Sequence, residues 1–297
     1  MFCPANPRLP IMTRTCRTFT VRNPLRAESQ FEVSTQFAEG DLESLDRQGY
    51  LFRDGFLSQE QTRRLAEAAD ELELQEKIRP TQGAFSNNNE FGGQFIRLCQ
   101  DKHQAFLDLA RHPELVSLAK VMMGPLVQIR DCTLRIVYSD GAGAQDTIWH
   151  QHLRVIPTPL PSWFCEPQAL DCLLYLDGLT EESGSVAVIP ESHRNFQFPG
   201  PTDTRSAAED QLVLTGGAGS LVAIHANLWH RGLPPAKAGI KRRLVILSYC
   251  PTWMQAARFA APAEDGLIRK TMDEAKRPDA TPEDRAMLEL LGGVPVM

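Results

Sequence analysis

Three histidines on two apolar segments, far apart in the chain, constrain the fold more than any other feature of the sequence. His150 and His152 stand one residue apart after Trp149, and His230 follows about eighty residues later. Side chains alternate across a β-strand, so positions 150 and 152 face the same way. Histidine is the commonest metal ligand, and an imidazole face with open positions suits iron, copper or zinc. The pattern therefore predicts strands of one barrel that bring the three imidazoles to a single metal ion.

Arg242, on the apolar segment after His230, predicts a binding partner for that metal site. A guanidinium presents a fork of donors that matches a carboxylate. With the histidines, it indicates an iron site that also takes an acid co-substrate. Arg243 points to the opposite face of the same predicted strand, so it is the weaker candidate, and a surface cation is its ordinary interpretation.

Helical patterns precede strand patterns along the chain. Ser58 and Gln61 form a capping-box pattern at the start of one helix, a second helical region covers about 104 to 123, and Thr281 with Pro282 begins a helix near the end. This order predicts a mainly β fold with flanking helices, in which the strands form a sandwich or jelly roll. The predicted strands are 127–130, 133–138, 172–176, 185–189, 220–224 and 244–249.

Four passages, in order, resemble the phytanoyl-CoA dioxygenase-like branch of the non-haem iron and 2-oxoglutarate oxygenases. They match an opening strand and helix, a first metal segment, middle strands with a Pro-Gly-Ser-His loop in which Glu191 replaces glycine, and a closing segment with histidine and arginine. The passages are 53–57, 149–151, 174–194 and 225–249, and the similarity extends over about residues 37 to 251.

The resemblance implies a double-stranded β-helix, a jelly-roll barrel of cupin type with helices outside it. It implies an enzyme that uses Fe(II), 2-oxoglutarate and O2 to hydroxylate or otherwise oxidise a C–H bond of a small molecule. His150, His152 and His230 would hold the iron, with Arg242 on the far carboxylate of 2-oxoglutarate. Thr133 and Arg135 stand where relatives hold co-substrate oxygens.

His152 is where the chain departs from the family, which has an aspartate at this position. The 2-His-1-carboxylate set thus becomes a candidate three-histidine face. Ferrous iron with neutral imidazoles and doubly negative 2-oxoglutarate is neutral overall, whereas a coordinating carboxylate leaves one negative charge. We therefore expect less donation to the metal and weaker iron binding before the co-substrate arrives. Halogenation is not expected, because the imidazole fills the space that a halide would need.

Two other functions remain open from the sequence. Without the aspartate, the chain could be a non-catalytic barrel that acts as a binding or dimerisation partner. Alternatively, three histidines could serve a cupin-like dioxygenase that does not use 2-oxoglutarate, with the substrate chelating iron and Arg242 structural. His225, five residues before His230, is expected to support the metal ligands from behind.

Two segments, 77–100 and 154–170, are predicted to form a lid over the site. They combine Phe, Trp and Pro with Arg97 and Arg154, which are the candidate substrate-binding residues. This mixture favours a small, partly apolar molecule that carries an acid group.

Cysteine usage and charge limit the compartment and the partners. The seven cysteines form no CxxC pair and are odd in number, which favours reduced thiols and a cytoplasmic location. No apolar stretch approaches the ~20 residues of a membrane span, so no membrane partner is expected. The net charge of −6 makes nucleic acid a poor partner, because phosphate binding needs a basic face. The oligomeric state stays open.

Residues 1–30 are predicted to be a disordered or targeting extension, and residues 31–297 a single domain with helical N- and C-terminal parts. Residues 1–27 contain five arginines and no acidic residue, and they lack a clear apolar period. An organelle transit peptide is one explanation, and a disordered tail or an over-extended start upstream of Met12 is the preferred one.

Overall fold

The computed structural model describes residues 14–21, 28–78, 93–139, 147–152, 169–194, 199–254 and 262–292. Its strands are β1 (Thr15–Val21), β2 (Ser29–Thr35), β3 (Tyr50–Arg53), β4 (Gly93–Arg97), β5 (Val127–Ser139), β6 (Leu170–Tyr175), β7 (Val186–Val188), β8 (Leu212–Leu214), β9 (Ser220–His225), β10 (His230–Gly232) and β11 (Ile240–Pro251). Its helices are α1 (Glu39–Gln48), α2 (Gln59–Ile78), α3 (Cys99–Lys102), α4 (Gln104–Ala110), α5 (Pro113–Met123), α6 (Leu267–Ala275) and α7 (Pro282–Leu290).

Two facing antiparallel sheets form the centre of the fold. The large sheet has the order β3-β9-β6-β11-β5-β4, and the small sheet has the order β10-β7-β8. One face of the large sheet packs against the helices, and its other face packs against the small sheet. The central strands β6 and β9 are therefore buried on both faces, which explains their almost continuous apolar sequences. This arrangement confirms the predicted mainly β fold of jelly-roll type with flanking helices.

The helix boundaries follow local signals in the sequence. The predicted capping box at α2 is present, since the Gln61 amide donates to Ser58 Oγ at 3.2 Å and the Ser58 amide donates to Gln61 Oε1 at 2.9 Å. Thr281 caps α7 in the same way. The region predicted as one helix over 104–123 is two helices, because Pro113 lacks an amide hydrogen and begins a new helix at its first position.

Part of the segment 1–30, predicted to be a disordered or targeting extension, forms β-structure where the structure describes it. Strand β1 pairs antiparallel with β2, and Phe19 stands opposite Phe31. Arg17 donates to the Val121 carbonyl at 3.2 Å, which ties the strand to α5. Burial alternates along β1, as in a half-buried strand, but Arg17 lies on the more buried face with Phe19 and Val21, which concealed the period in the sequence. Residues 1–13 and 22–27 lie outside the described residues.

The cysteines that the structure describes are all free thiols. Cys99 and Cys132 approach each other with a sulfur–sulfur distance of 3.4 Å inside the helix-facing core. Among the described helices, none has the length and apolar character needed to cross a membrane.

Two buried histidines join the end of α1 to the large sheet. The rings of His193 and His225 lie with their centroids 5.1 Å apart. His193 Nε2 donates to the Asp46 carbonyl at 2.9 Å, and His225 Nδ1 accepts from the Asn227 amide at 3.3 Å. Burial, reinforced by the nearby His193, lowers the pKa of His225 to about 4. Both rings are therefore neutral at neutral pH.

We expect acid to destabilise the fold through His225. Its folded-state pKa of about 4 lies below the ordinary value of about 6.5, so the unfolded chain takes up a proton in this interval that the folded chain does not. The contribution of His225 to the free energy of unfolding is fully present above about pH 6.5, and it falls by about 3 kcal/mol as the pH drops to 4. Urea unfolding at pH 7.5 and pH 5, in the presence of a chelator, measures this loss.

His225→Asn keeps an acceptor for the Asn227 amide but cannot titrate, so this variant should lose less stability between the two pH values. His103→Asn is the matched control, because His103 likewise accepts from a backbone amide, at the start of α4. It should retain the wild-type pH dependence. The same pH dependence in His225→Asn as in the wild type would contradict the role of His225.

Candidate metal centre

Backbone pairing brings the histidine-bearing segments together. The His150 amide donates to the His230 carbonyl at 3.0 Å, and the His230 amide donates to the His150 carbonyl at 3.1 Å. The His152 amide then donates to the Ala226 carbonyl at 2.9 Å. Strand β10 is held in turn by β7, where His230 stands opposite Val188. The segment 147–152 thus lies against the end of the small sheet, with residues 150 and 152 on one side.

The three imidazole rings converge. The ring centroids of His150 and His230 are 4.4 Å apart, those of His152 and His230 are 4.6 Å apart, and those of His150 and His152 are 5.3 Å apart. One ring nitrogen of each residue lies within 4.8 Å of the other two. Nε2 of His152 and Nε2 of His230 are 3.1 Å apart.

The other nitrogen of each ring has an acceptor of its own. Nδ1 lies 2.8 Å from the Ile148 carbonyl in His150, 2.8 Å from Asp171 Oδ2 in His152, and 2.9 Å from the Leu228 carbonyl in His230. Carbonyls and carboxylates only accept, so each Nδ1 carries the hydrogen and each Nε2 presents a lone pair. Metal-binding histidines are oriented by such contacts.

A metal ion fits this donor set. Two lone pairs that face each other at 3.1 Å repel, and a cation between them removes the repulsion. Two nitrogens that bind one metal at right angles, at the usual ~2.1 Å, are about 3 Å apart. The three-nitrogen face also leaves positions open for other ligands, as an iron site with a co-substrate requires.

Asp171 belongs to the site, although the sequence analysis did not select it. Its carboxylate is fully buried, with Oδ2 bound to His152 and Oδ1 accepting from the Ser248 hydroxyl. Burial alone would raise the pKa of Asp171, but the nearby His152, which donates a hydrogen bond to the carboxylate, Arg130 and the Ser248 hydroxyl together hold that pKa below its usual value. The one available signal was a single acid within the otherwise apolar strand β6.

Arg130 was also missed, because a β-bulge places it at the site. The pairing of β5 with β11 shifts register between Ser248 and Tyr249, so Arg130 is the extra residue on β5. Its Nη2 lies 3.4 Å from the His152 carbonyl, and its Nη1 lies 3.4 Å from Ser248 Oγ. The bulge thus turns a guanidinium towards the three histidines.

The two neighbouring arginines of β11 have opposite surroundings. Arg242 is only 6% exposed and faces the interior, where Nη1 donates to the carbonyls of Gly184 and Leu233. Arg243 faces the helices, with Nε and Nη2 on Asp177 at 3.0 and 2.6 Å and Nη1 on Asp70 at 2.9 Å. Burial lowers the pKa of Arg242, while the hydrogen bond to Asp177 raises that of Arg243.

Three guanidinium groups lie near one another on the interior face. Arg135 packs over the Phe95 ring at 4.0 Å, and Arg97 stands opposite Thr133 on the neighbouring strand. Burial, together with the like charges of Arg242 and Arg97, lowers the pKa of Arg135 to about 9. All three remain charged at neutral pH, so an anion placed among them would relieve their mutual repulsion.

Thr133 has less freedom than the sequence suggested. Its hydroxyl donates to Asp131 Oδ2 at 2.9 Å and accepts from Arg97 Nη1 at 3.1 Å. Since its single donor is already used, Thr133 contributes to the site through Asp131 and Arg97.

Other candidate residues lie elsewhere. His225, expected to support the metal ligands, packs against His193 instead, because it ends β9 beside α1. Within the first lid segment, 93–97 is the edge strand β4, which carries Arg97. Residues 154–168 of the second lid segment, including Arg154, lie outside the described residues, as do 79–92 of the first.

Known proteins resemble this chain in sequence. The family model of phytanoyl-CoA dioxygenase (PhyH) matches residues 45–242, more than half of the chain. A probable alpha-ketoglutarate-dependent hypophosphite dioxygenase from Stutzerimonas stutzeri is 24% identical over 243 residues, which covers 72% of this chain and 78% of that relative.

Two solved structures resemble the fold. The non-haem alpha-ketoglutarate-dependent epimerase SnoN from nogalamycin biosynthesis has a TM-score of 0.57 at 16% identity, and the match covers 77% of this chain and 96% of SnoN. HygX from Streptomyces hygroscopicus, solved with nickel and 2-oxoglutarate bound, has a TM-score of 0.57 at 16% identity, and the match covers 75% of this chain and 90% of HygX. At these identities the similarity shows the fold.

Gly184 should be required for the position of Arg242. It has a φ of +82°, and a Cβ at this position would collide first with the Leu233 carbonyl oxygen and then with Arg242 Nη1, at 2.6 Å. Gly55 has a φ of +61° with open space around the same position, so it is the matched control. Both alanine variants carry the left-handed cost of roughly 1–2 kcal/mol. We expect Gly184→Ala to lose at least about 1 kcal/mol more than Gly55→Ala, because it must also displace the Leu233 carbonyl and the Arg242 guanidinium that donates to it.

Urea unfolding of the two variants beside the wild type measures this difference. Equal losses in Gly184→Ala and Gly55→Ala would show that Arg242 does not depend on the missing side chain.

Proposed function

The chain belongs to the phytanoyl-CoA dioxygenase (PhyH) family of iron- and 2-oxoglutarate-dependent dioxygenases, and we propose that His150, His152 and His230 hold its iron. The observation that carries the proposal is the convergence of three imidazoles whose Nδ1 atoms all have acceptors. When bound, the iron would activate O2 with 2-oxoglutarate as co-substrate. It would thereby supply the oxidant that attacks a bond between hydrogen and another atom of the substrate.

The residues of the chain position the reactants. The Ile148 and Leu228 carbonyls and the Asp171 carboxylate fix the ring orientations, so that three Nε2 atoms aim at one point. Backbone pairing holds His150 and His230 opposite each other before any ligand binds. The geometry is therefore preorganised and does not have to be created by the metal.

We assign the far carboxylate of 2-oxoglutarate to Arg242. Burial of an ionised group costs several kcal/mol unless a counter-charge or strong hydrogen bonds offset it. The described acceptors of Arg242 are two neutral carbonyls, and the nearby Asp177 is engaged by Arg243. Arg135 adds a second positive charge on the same face. A dicarboxylate that reaches from the metal to Arg242 would pair with this buried guanidinium, and the charge of Arg135 would add to the attraction.

Anaerobic titration with Fe(II) and 2-oxoglutarate, followed by the metal-to-ligand charge-transfer band, tests the proposal. The wild type should show the band only when both are present. Removing the partner of a buried carboxylate costs on the order of 3–5 kcal/mol, so Arg242→Ala should raise the apparent Kd for 2-oxoglutarate by orders of magnitude. Arg242→Lys should recover part of that loss through its point charge.

Arg243→Ala is the matched control, because it removes the same side chain from the adjacent position. It should lower the stability by breaking the pair with Asp177, yet leave the Kd for 2-oxoglutarate nearly unchanged. No bound iron and no band in the wild type would favour a non-catalytic binding module. Oxygen uptake with a chelating substrate, but without 2-oxoglutarate, would favour the cupin-like dioxygenase.

We further propose that the substrate is a small anion. The charges of Fe(II) and 2-oxoglutarate sum to zero. The described charged side chains of the interior face have a net charge of two positive units. These side chains are Arg97, Arg130, Arg135, Arg242, Asp131 and Asp171. The hypophosphite named for the Stutzerimonas relative is also a small anion.

Arg130 is the side chain that we assign to the substrate anion. Its two described hydrogen bonds are both 3.4 Å, at the long end of the range, and a guanidinium has five N–H donors. Arg97 is held by Asp131 and Thr133, so its charge is partly offset. Arg130 therefore has the larger capacity for a further acceptor beside the metal.

Binding of small anions to the anaerobic Fe(II) and 2-oxoglutarate complex checks this assignment. Hypophosphite, methylphosphonate and acetate should perturb the charge-transfer band, whereas acetamide, the neutral counterpart of acetate, should not. Arg130→Gln should weaken anion binding about ten- to a hundredfold, the usual effect of losing a charged hydrogen bond. Arg63→Gln, which removes an exposed arginine of α2, should not change it. Equal responses to acetate and acetamide would contradict an anionic substrate.

A further inference from the structure

We propose that Asp171 supplies, through His152, the negative charge that a coordinating aspartate would bring to the metal. The proposal rests on the function proposed above, in which His152 is an iron ligand. It makes Asp171 a positioning residue of the centre, and His152 and Asp171 together take the place of one carboxylate.

The contacts of Asp171 determine which ring nitrogen of His152 carries the hydrogen. Its Oδ2 lies 2.8 Å from His152 Nδ1, and its Oδ1 accepts from the Ser248 hydroxyl. A carboxylate can only accept here, so the hydrogen is on Nδ1 and the lone pair of Nε2 points to His230, 3.1 Å away. A hydrogen bond from Nδ1–H to a carboxylate raises the basicity of the ligating nitrogen and fixes the ring.

The three histidines differ in this respect. Nδ1 of His150 and Nδ1 of His230 donate to the neutral carbonyls of Ile148 and Leu228, each two residues earlier in the chain. Of the three described Nδ1 contacts, that of His152 is the one to a charged group. It also occupies the position at which the family pattern has an aspartate. The negative charge of Asp171 thus lies behind one ligand, His152, and is not shared among the three histidines.

The fold holds Asp171 rigidly at this place. It lies on β6, a central strand of the large sheet, opposite Ser248 of β11 and Ile224 of β9. No part of its side chain is exposed. A buried carboxylate is costly unless it is paired, so its partners His152, Ser248 and Arg130 explain how it is accommodated. Asp171 also accepts the hydrogen of His152 Nδ1, and the Nε2 of that ring faces the proposed metal site. This contact gives Asp171 a role beyond stabilising the fold.

Asp171→Asn is the central variant, because it keeps the shape and an acceptor for Nδ1–H but removes the charge. We expect it to weaken Fe(II) binding about ten- to a hundredfold in anaerobic titrations. It should also move the charge-transfer band with 2-oxoglutarate to higher energy, since the metal becomes less electron-rich. Ser248→Ala, which removes the other hydrogen bond but leaves the charge, should have a smaller effect on both.

A double-mutant cycle with His152→Asp separates this role from a structural one. In the His152→Asp background a carboxylate would bind the metal directly, and Asp171 could no longer act on the metal through an imidazole. Asp171→Asn should then leave Fe(II) affinity unchanged or increase it, because two nearby carboxylates no longer repel. The same loss in both backgrounds would overturn the proposal and make Asp171 a structural residue. No loss of affinity in the wild-type background would overturn it equally.

A measurement on the unsubstituted protein keeps the test independent of variants that do not fold. Loaded with diamagnetic Zn(II) and labelled with ¹⁵N-histidine, the protein should show a proton on His152 Nδ1 that is further downfield than those of His150 and His230. Zn(II) bound to Nδ1 of His152, or no such proton, would overturn the proposal. Failure of the proposed function looks different, because neither the wild type nor His152→Asp would then bind Fe(II) with 2-oxoglutarate.

Discussion

The pair of backbone hydrogen bonds between His150 and His230 is the interaction on which the site depends. It joins two segments that are far apart in sequence, with N–O distances of 3.0 and 3.1 Å. Residues paired in this way have their Cβ atoms about 5 Å apart on one face, so the two rings meet without help from a metal. The bond from the His152 amide to the Ala226 carbonyl extends the contact and brings the third ring alongside. Main-chain geometry thus determines where the three nitrogens lie.

The features predicted correctly from the sequence depend on local periods. Alternation along a strand is sufficient to place residues 150 and 152 on one side and to separate Arg242 from Arg243. The helix starts at Ser58 and Thr281 follow from local capping chemistry. The mainly β fold with outer helices follows from the order of these periods.

The features that were missed depend on contacts between distant segments. Asp171 reaches His152 only because β6 lies beside the segment 147–152, and no pattern within β6 reports that neighbour. The bulge at Arg130 is a difference in length between two paired strands, so neither strand shows it alone. Strand β1 was assigned to the extension because Thr15 to Thr18 include no large apolar residue, so only Phe19 and Val21 report its period. His225 was assigned by its distance in sequence from His230, whereas the end of β9 turns it towards α1.

Arg242 and Arg243 show how the fold separates a binding group from a structural one. Both are cations on β11, yet Arg243 has two aspartates as partners and Arg242 has backbone carbonyls. The desolvation cost of Arg243 is offset by its two aspartate partners within the protein, so these ion pairs contribute to the stability of the fold. That of Arg242 is offset only in part, so the 2-oxoglutarate carboxylate that we propose for it would gain the remainder as binding free energy. The same strand therefore anchors the helices on one face and prepares an anion site on the other.

Displacement of the carboxylate from the metal to Asp171 has a consequence for the order of binding. With three neutral ligands, the iron keeps its double positive charge at the centre, and Asp171 offsets it only from behind an imidazole. Iron should then be held weakly alone and attract a dianion strongly, while Arg242 and Arg135 attract the same dianion from its other end. Thermodynamic linkage requires the effect to be mutual, so 2-oxoglutarate increases the affinity for iron by the same factor by which iron increases the affinity for 2-oxoglutarate. The proposed three-histidine centre, backed by a buried aspartate, would thus be stable as a ternary complex, and its metal would remain exchangeable until the co-substrate is present.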